Sequence, residues 1–314
     1  MGAPTSGHDV AIRTVGISRT FGGLTAVDGI DLEIGQGGVF SLLGPNGAGK
    51  TTTIRMLCCL LRPTSGTATI MGHDIRTDPL AVKQVIGVSP QETAIAPTLN
   101  AWENLRLMAR LHGIDKRRTR QRSEELLEMM ALATRANDKA RTFSGGMQRR
   151  LSIAMALVSD PQVLFLDEPT IGLDPQSRRG MWDYIVGLKG DTTIVLTTHY
   201  LEEADALADR IAVVDDGRVV AEGTPGELKA NLSGSQVMVV ETSGLTDEAV
   251  GALRQVYPLV RVTDSGVEIE ADDVSVYEIG DCLRRFGVEI SSTYRRRASL
   301  DDVFIELTGK ELRQ

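Results

Sequence analysis

Residues 44–52 read Gly44-Pro45-Asn46-Gly47-Ala48-Gly49-Lys50-Thr51-Thr52, and the rest of the chain is organised around them. The stretch satisfies the pattern G-x-x-x-x-G-K-[ST], with Gly44, Gly49, Lys50 and Thr51 at the fixed positions. The apolar run Val39-Phe40-Ser41-Leu42-Leu43 before it reads as a buried strand. After it, Ile54, Leu57, Cys58 and Leu61 recur at i, i+3, i+4 and i+7, the spacing of a helix. In a strand–loop–helix context the loop's backbone N–H groups can point inward and cradle phosphate oxygens. The helix then presents its positive end to the same anion. Lys50 would reach the terminal phosphates and the Thr51 hydroxyl would hold Mg2+.

The 314 residues suggest two domains, and 42% hydrophobic residues suffice for a sizeable core. No apolar stretch approaches the ~18–20 residues of a membrane span. Residues 1–10 lack the charged and apolar regions of a secretory signal, so a cytosolic location is the expectation. Three cysteines, Cys58, Cys59 and Cys282, show neither a disulfide framework nor metal-site spacing. A net charge of −8 argues against nonspecific binding to nucleic acid or anionic lipid.

Outward from the loop, residues 10–37 read as antiparallel strands flanking Thr20-Phe21-Gly22-Gly23. Phe21 could offer its face to an adenine ring or could pack in the core; residue type alone favours packing. A strand is expected at 67–71, with a turn at Gly72-His73-Asp74 in which His73 has no evident partner. Another strand, 85–88, runs into Ser89-Pro90-Gln91-Glu92. Residues 93–143 read as helical. Their basic run, Lys116-Arg117-Arg118-Thr119-Arg120-Gln121-Arg122, is expected to be a solvated helix face. Ser144-Gly145-Gly146 then opens a helix, with Ser144 as N-cap and a second potential anion site at its start.

Val163-Leu164-Phe165-Leu166 has the continuous apolar character of a strand buried on both faces, and it ends in Asp167-Glu168-Pro169. Two carboxylates just past a buried strand are costly unless they have partners. Beside a phosphate loop, Asp167 can hold Mg2+ through its water shell and Glu168 can polarise an attacking water. A further buried strand, 193–196, leads to His199, which could hydrogen-bond a terminal phosphate or be structural. A helix is expected over 201–210, followed by a hairpin turning at Asp216-Gly217. Residues 231–235 read as a linker. Beyond them the pattern is strand, helix, two strands, helix, strand and a helix capped by Ser299. This unit holds no catalytic constellation, and Arg295-Arg296-Arg297 is expected to be a solvated strand edge.

Taken together, Gly44 through Thr52, Gln91, Ser144-Gly145-Gly146, Asp167-Glu168, Asp174 and His199 stand in an order that resembles the ATP-binding subunit of an ABC transporter over residues 10–230. The resemblance implies an α/β P-loop ATPase core with an N-terminal antiparallel β subdomain and a helical subdomain, plus a small α+β C-terminal domain. The corresponding ranges are 8–231, with the helical part at about 92–150, and 235–314. By motif, residues 44–52 are similar to the Walker A loop and Gln91 to the Q-loop glutamine, which contacts Mg2+ and faces the membrane partner. Phe143-Ser144-Gly145-Gly146-Met147 is similar to the signature sequence. Asp167 and Glu168 match the Walker B aspartate and the catalytic glutamate. Gly172-Leu173-Asp174 matches the D-loop and His199 the switch histidine. Phe21 falls where the family stacks an aromatic on adenine, and Val27 is placed with it on the nucleotide side. The signature has Phe143 and Met147 where Leu and Gln are common, and Phe21 stands where Tyr is common.

The order of motifs, the separate C-terminal domain and the ending Leu300-Asp301-Asp302-Val303-Phe304-Ile305-Glu306-Leu307-Thr308-Gly309 resemble the daunorubicin-resistance type of exporter ATPase. The implied activity is ATP hydrolysis driving export through a separate transmembrane permease. It implies ATP and Mg2+ as ligands, a head-to-tail homodimer, a position at the cytoplasmic face of the membrane, and no nucleic-acid partner. Each composite site would join Lys50 of one copy to Ser144 of the other. The alternatives are an importer ATPase with a regulatory C-terminal domain, or a non-transport ATPase of the same family. A long coiled coil of the repair type is excluded, since only about ninety residues separate Thr52 from Ser144.

Overall fold

A computed structural model describes residues 10–230, 236–257, 259–270, 275–297 and 299–309. The chain forms two compact units, the first ending at Thr224 and the second beginning at Pro225. The linker expected at 231–235 lies outside the described residues. The division falls before it, because the helix at 225–230 groups with the second unit.

In chain order the first unit comprises β1 (Val10–Phe21), β2 (Leu24–Gly35), β3 (Val39–Leu43), α1 (Lys50–Leu57), β4 (Ser65–Ile70), β5 (His73–Asp74), α2 (Pro79–Val85) and β6 (Ile86–Ser89). Then come α3 (Ala101–Leu111), α4 (Lys116–Met129), α5 (Gly145–Leu157), β7 (Val163–Asp167), α6 (Pro175–Val186), β8 (Thr193–Thr198), α7 (Leu201–Leu207), β9 (Arg210–Asp215) and β10 (Arg218–Gly223). One sheet is antiparallel, in the order β2-β1-β4-β5. The other has the order β10-β9-β3-β8-β7-β6, parallel throughout except for the β9–β10 hairpin at its edge.

Alternation along the parallel strands supplies both faces of the core. Phe40, Leu42, Val163, Phe165 and Val195 pack with α1 and the antiparallel sheet, together with Cys58. Val39, Leu164, Leu166, Ile194 and Leu196 pack with the helices on the other face. The register aligns the strand ends: Leu43 pairs with Thr198, and Asp167 with Thr197. The segments after β3, β6, β7 and β8 carry residues 44–52, Gln91, Glu168 and His199. All four leave the carboxyl edge of one sheet, where open α/β folds hold their ligands.

Several local expectations change. His73 has a partner, with Nδ1 3.4 Å from Asp78 Oδ2. The basic run is not solvated throughout, since Arg118 and Arg122 converge on Asp160 at 2.8 and 2.7 Å. Helix α7 stops at Leu207 rather than at 210 because Arg210 already begins β9.

The second unit comprises α8 (Pro225–Ala230), β11 (Gln236–Ser243), α9 (Asp247–Val256), β12 (Leu259–Thr263), β13 (Gly266–Glu270), α10 (Val276–Arg285), β14 (Glu289–Arg297) and α11 (Leu300–Thr308). Its antiparallel sheet has the order β12-β13-β11-β14. Met238, Val240, Val267 and Ile269 pack against Leu253, Ile279 and Leu283 of α9 and α10. Ser299 and Asp302 form a reciprocal capping box at α11. The expectation of solvated arginines fails at Arg296. Its guanidinium holds Glu268 Oε2 and Asp302 Oδ2, each at 2.6 Å, and Arg261 reaches Asp302 Oδ1 at 2.6 Å. Asp302 is fully buried, so its charge requires these partners.

Candidate nucleotide-hydrolysis site

The loop at 44–52 is held open by its glycines. Gly49 has φ +100°, and a Cβ there would come 2.4 Å from the Ala26 carbonyl oxygen. Gly47 has φ +87° but faces open space. The first therefore needs glycine for packing as well as backbone, the second for backbone alone. Lys50 starts α1 and folds back over the loop, its Nζ donating to the carbonyls of Gly44 (2.7 Å) and Pro45 (2.9 Å). Burial lowers the pKa of this ammonium, while Glu168 and Asp167 oppose the shift.

Asp167 ends β7. Its Oδ1 accepts from Thr51 Oγ1 at 3.0 Å and from Thr197 Oγ1 at 2.6 Å. Thr197 Oγ1 also accepts the Glu168 N–H at 3.0 Å, so one hydroxyl of β8 ties both acidic residues to the sheet edge. Glu168 has φ +48°, a left-handed conformation uncommon for a side-chain-bearing residue and concentrated at functional sites. Its carboxylate gathers three loops. Oε1 lies 3.2 Å from His199 Nδ1 and 4.0 Å from Lys50 Nζ, and Oε2 accepts from Gln91 Nε2 at 3.3 Å.

A cleft of about 340 Å3 opens over this arrangement, lined among others by Asn46, Gly47, Lys50, Thr52, Gln91 and Glu168. The loop's open backbone and the nearby ammonium suit a polyphosphate. The Thr51 hydroxyl and the Asp167 carboxylate, already 3.0 Å apart, are hard oxygen donors suited to Mg2+. Among the described residues no group of three His, Cys, Asp or Glu could hold a metal ion on its own. That donor set fits a cation completed by phosphate oxygens and water.

The remaining residues expected at the site do not line this cleft. Ser144 caps α5, accepting from the Met147 N–H at 3.3 Å. Gly145 and Gly146 follow it, and Gly146 lies beside Ser177 and Leu173. Asp174 caps α6 by accepting from the Ser177 N–H, and the Ser177 hydrogen bonds hold its pKa below the usual range. Phe21 is 43% exposed with the Arg19 guanidinium 4.5 Å over its ring, so it is not a core residue. Val27 is fully buried, its Cγ2 3.3 Å from where a Cβ on Gly49 would stand, so it packs against the cradle's glycine.

Three residues at the site went unnoticed in the sequence. Thr197 is one. Glu203 is another: it is fully buried within α7 and accepts from Trp182 Nε1 at 3.2 Å, and burial raises its pKa. The third is Arg149, an arginine buried within α5. In Arg149 the only available signal was a charge inside a helix that is otherwise apolar on several faces.

The profile of the ABC transporter family matches residues 27–171. The daunorubicin resistance ATP-binding protein DrrA3 of Streptomyces coeruleorubidus is 44% identical, covering 97% of this chain and 98% of that protein. The linearmycin resistance ATP-binding protein LnrL of Bacillus subtilis is 36% identical over 95% of this chain and 98% of its own length. Among solved structures, an ATP-binding cassette in a dimeric post-hydrolysis state bound to ADP and Pi superposes with a TM-score of 0.61. It is 28% identical and covers 68% of this chain and 98% of its own. With a nucleotide cradle at the carboxyl edge of a parallel sheet and relatives matched over almost their whole length, the chain belongs to the ABC transporter family, as an ATP-hydrolysing, ATP-binding subunit of the exporter kind.

Proposed function

We propose that this chain powers efflux of drug-like or lipid-like molecules through a separate membrane permease, working as a head-to-tail pair of copies with Mg2+ and ATP. The observation that carries the efflux reading is similarity to resistance ATP-binding proteins that runs through the second unit as well as the ATPase core. Among the described residues no helix is long and apolar enough to cross a membrane, so the reading assigns the pathway to another chain and this subunit to the cytoplasmic face.

In this reading ATP phosphates lie against the N–H groups of residues 46–51, and Lys50 turns from its two carbonyls toward them. Bound Mg2+ would supply neutralisation of phosphate charge, held by Thr51, by Asp167 through water, and by Gln91. Glu168 orients a water and accepts its proton as the water oxygen bonds to the terminal phosphorus and the bond to ADP breaks. His199 and Gln91 hold the two carboxylate oxygens from opposite sides. Phe21 offers a ring face to adenine. Ser144, Gly145, Gly146 and Asp174, which do not line this chain's own cleft, would complete the cleft of a second copy. Binding of ATP then favours the closed pair, and hydrolysis removes the bridge. The second unit is assigned an added contact between copies.

Copurification from membranes tests the proposal. A permease should accompany the chain, and drug-like compounds should stimulate ATP hydrolysis by that complex. Stimulation by a solute-binding protein instead would make it an importer subunit, and isolation without any membrane protein would overturn the transport reading.

A further inference from the structure

We infer that Arg149 is a positioning residue for hydrolysis. One buried guanidinium fixes the loop of Gln91 against the loop of Glu168, and links both to the helix that begins at Ser144. This rests on the ATPase reading of the site.

A guanidinium has five N–H donors in a rigid plane, and those of Arg149 meet five backbone carbonyls. Nε donates to Pro169 at 3.0 Å. Nη1 donates to Pro90 at 2.5 Å and Gln91 at 3.1 Å. Nη2 donates to Asp167 at 2.5 Å and Glu168 at 2.8 Å. Two acceptors lie just after β6; of the other three, Asp167 is the last residue of β7 and Glu168 and Pro169 follow it. The two are neighbouring parallel strands whose pairing ends at Ser89 and Leu166, so backbone hydrogen bonds between them stop where the catalytic loops begin. Arg149 takes over beyond that point.

The arrangement is not an ion pair. Among the described residues no carboxylate oxygen pairs with the guanidinium; it binds the peptide groups from which the Gln91 and Glu168 side chains spring. The contact therefore sets where the Gln91 amide and the Glu168 carboxylate stand, without competing for them. A lysine cannot replace it, having three donors and no plane. The same side chain belongs to α5, whose first residues follow Ser144. Any shift of α5 on docking a second copy is thereby delivered to both catalytic loops at once.

The test compares Arg149→Lys with wild type in the copurified transporter, and Glu168→Gln and Arg150→Ala in parallel. Arg150 neighbours it but donates to Met130 and lies near Tyr184, away from the cleft. The expected result for Arg149→Lys is ATP affinity within threefold of wild type and kcat lower by about 10²-fold, the cost of a ~1 Å misplacement at a reacting centre. Arg150→Ala should retain kcat. Should Arg149→Lys fail to fold, Arg149→Ala supplemented with millimolar guanidinium serves instead. Regained kcat supports the inference, and no regain in protein that binds ATP normally overturns it. A double variant of Arg149→Lys with Gln91→Ala should lose no more than the worse single change, since both act through one loop. Folded Arg149→Lys with wild-type kcat overturns the inference, as does parallel loss of ATP affinity and kcat. If Glu168→Gln also keeps full turnover, the site reading itself fails. If only the Arg149 variants do, this inference alone fails.

Discussion

Nδ1 of His199 and Oε1 of Glu168 lie 3.2 Å apart, one at the end of β8 and the other at the end of β7. The register of two adjacent parallel strands brings them together, since Asp167 pairs with Thr197. The two strand ends thus hold the carboxylate against the imidazole. Glu168→Gln keeps the shape and the Gln91 side of this arrangement but removes the proton acceptor. ATP binding should persist while turnover falls by about 10²–10⁴, the usual value of a positioned base. Equilibrium nucleotide binding and phosphate release check it, and near-normal release by the variant would remove Glu168 from its role.

Thr197 makes a second, less obvious prediction. Its hydroxyl donates to Asp167 and accepts the Glu168 N–H, and the residue is fully buried. Thr197→Val preserves shape but removes the donor to the buried Asp167 carboxylate, while the Glu168 N–H keeps the Thr197 backbone carbonyl at 3.2 Å. The chain should lose about 1–3 kcal/mol, the cost of an unmade buried hydrogen bond. It should also hydrolyse ATP more slowly. Denaturant unfolding followed by the fluorescence of Trp102 and Trp182, both in the first unit, measures the loss.

The glycines of the cradle should not be equivalent. Gly47→Ala meets only its left-handed backbone, a penalty of about 1–2 kcal/mol. Gly49→Ala meets that and the Ala26 carbonyl at 2.4 Å, a backbone atom that cannot swing aside. Titration with a fluorescent ATP analogue should show weakened binding for Gly47→Ala and none for Gly49→Ala. Equal affinities would mean that the β2 backbone yields to the loop.

In the second unit, Asp302 is buried against Arg296, Arg261 and the α11 cap. Burial alone would raise its pKa, but hydrogen bonds from Arg296 and Ser299 outweigh it and hold the carboxyl well below its ordinary 3.8. A depressed folded-state pKa stabilises above the unfolded value, and the gain is lost as pH falls toward the folded one. Asp302→Asn should therefore cost most near neutral pH. The cost should lie toward the lower end of the ~3–5 kcal/mol for breaking a buried pair, because Arg296 keeps some solvent contact. The gap from wild type should close as pH falls below about 4. Hydrogen exchange of the backbone N–H groups of β11, β13 and α11 follows this unit separately from the first.

What could be read beforehand was whatever chemistry concentrates in adjacent residues. Residues 44–52, Ser144-Gly145-Gly146 and Asp167-Glu168 each carry their geometry within a few positions, as a turn, a cap or a strand end. Thr197, Glu203 and Arg149 carry theirs only through contacts between distant segments. An arginine whose acceptors are five backbone carbonyls leaves no local trace, because every residue type carries that same acceptor. Arg296 looked like a solvated edge because its partners, Glu268 and Asp302, sit on other elements.

The separation of Lys50 from Ser144 gives the sharpest test of the paired arrangement. One chain's cleft contains Lys50 and lacks Ser144 along its walls. If a second copy supplies the missing side, each active site draws on two chains. Lys50→Ala then spoils a copy's own cradle, and Ser144→Arg spoils the half it lends. Homodimers of either variant should be inactive. A mixed dimer has one site with both parts damaged and one with both intact. Random reassortment of equal amounts makes half the dimers mixed, so about a quarter of wild-type activity should return if the two sites of a symmetric pair work independently. Tagging the two variants differently and purifying the doubly tagged complex raises that share to about half. Activity no greater in the mixture than in the separate variants would mean that Ser144 and Lys50 do not serve one site across the pair.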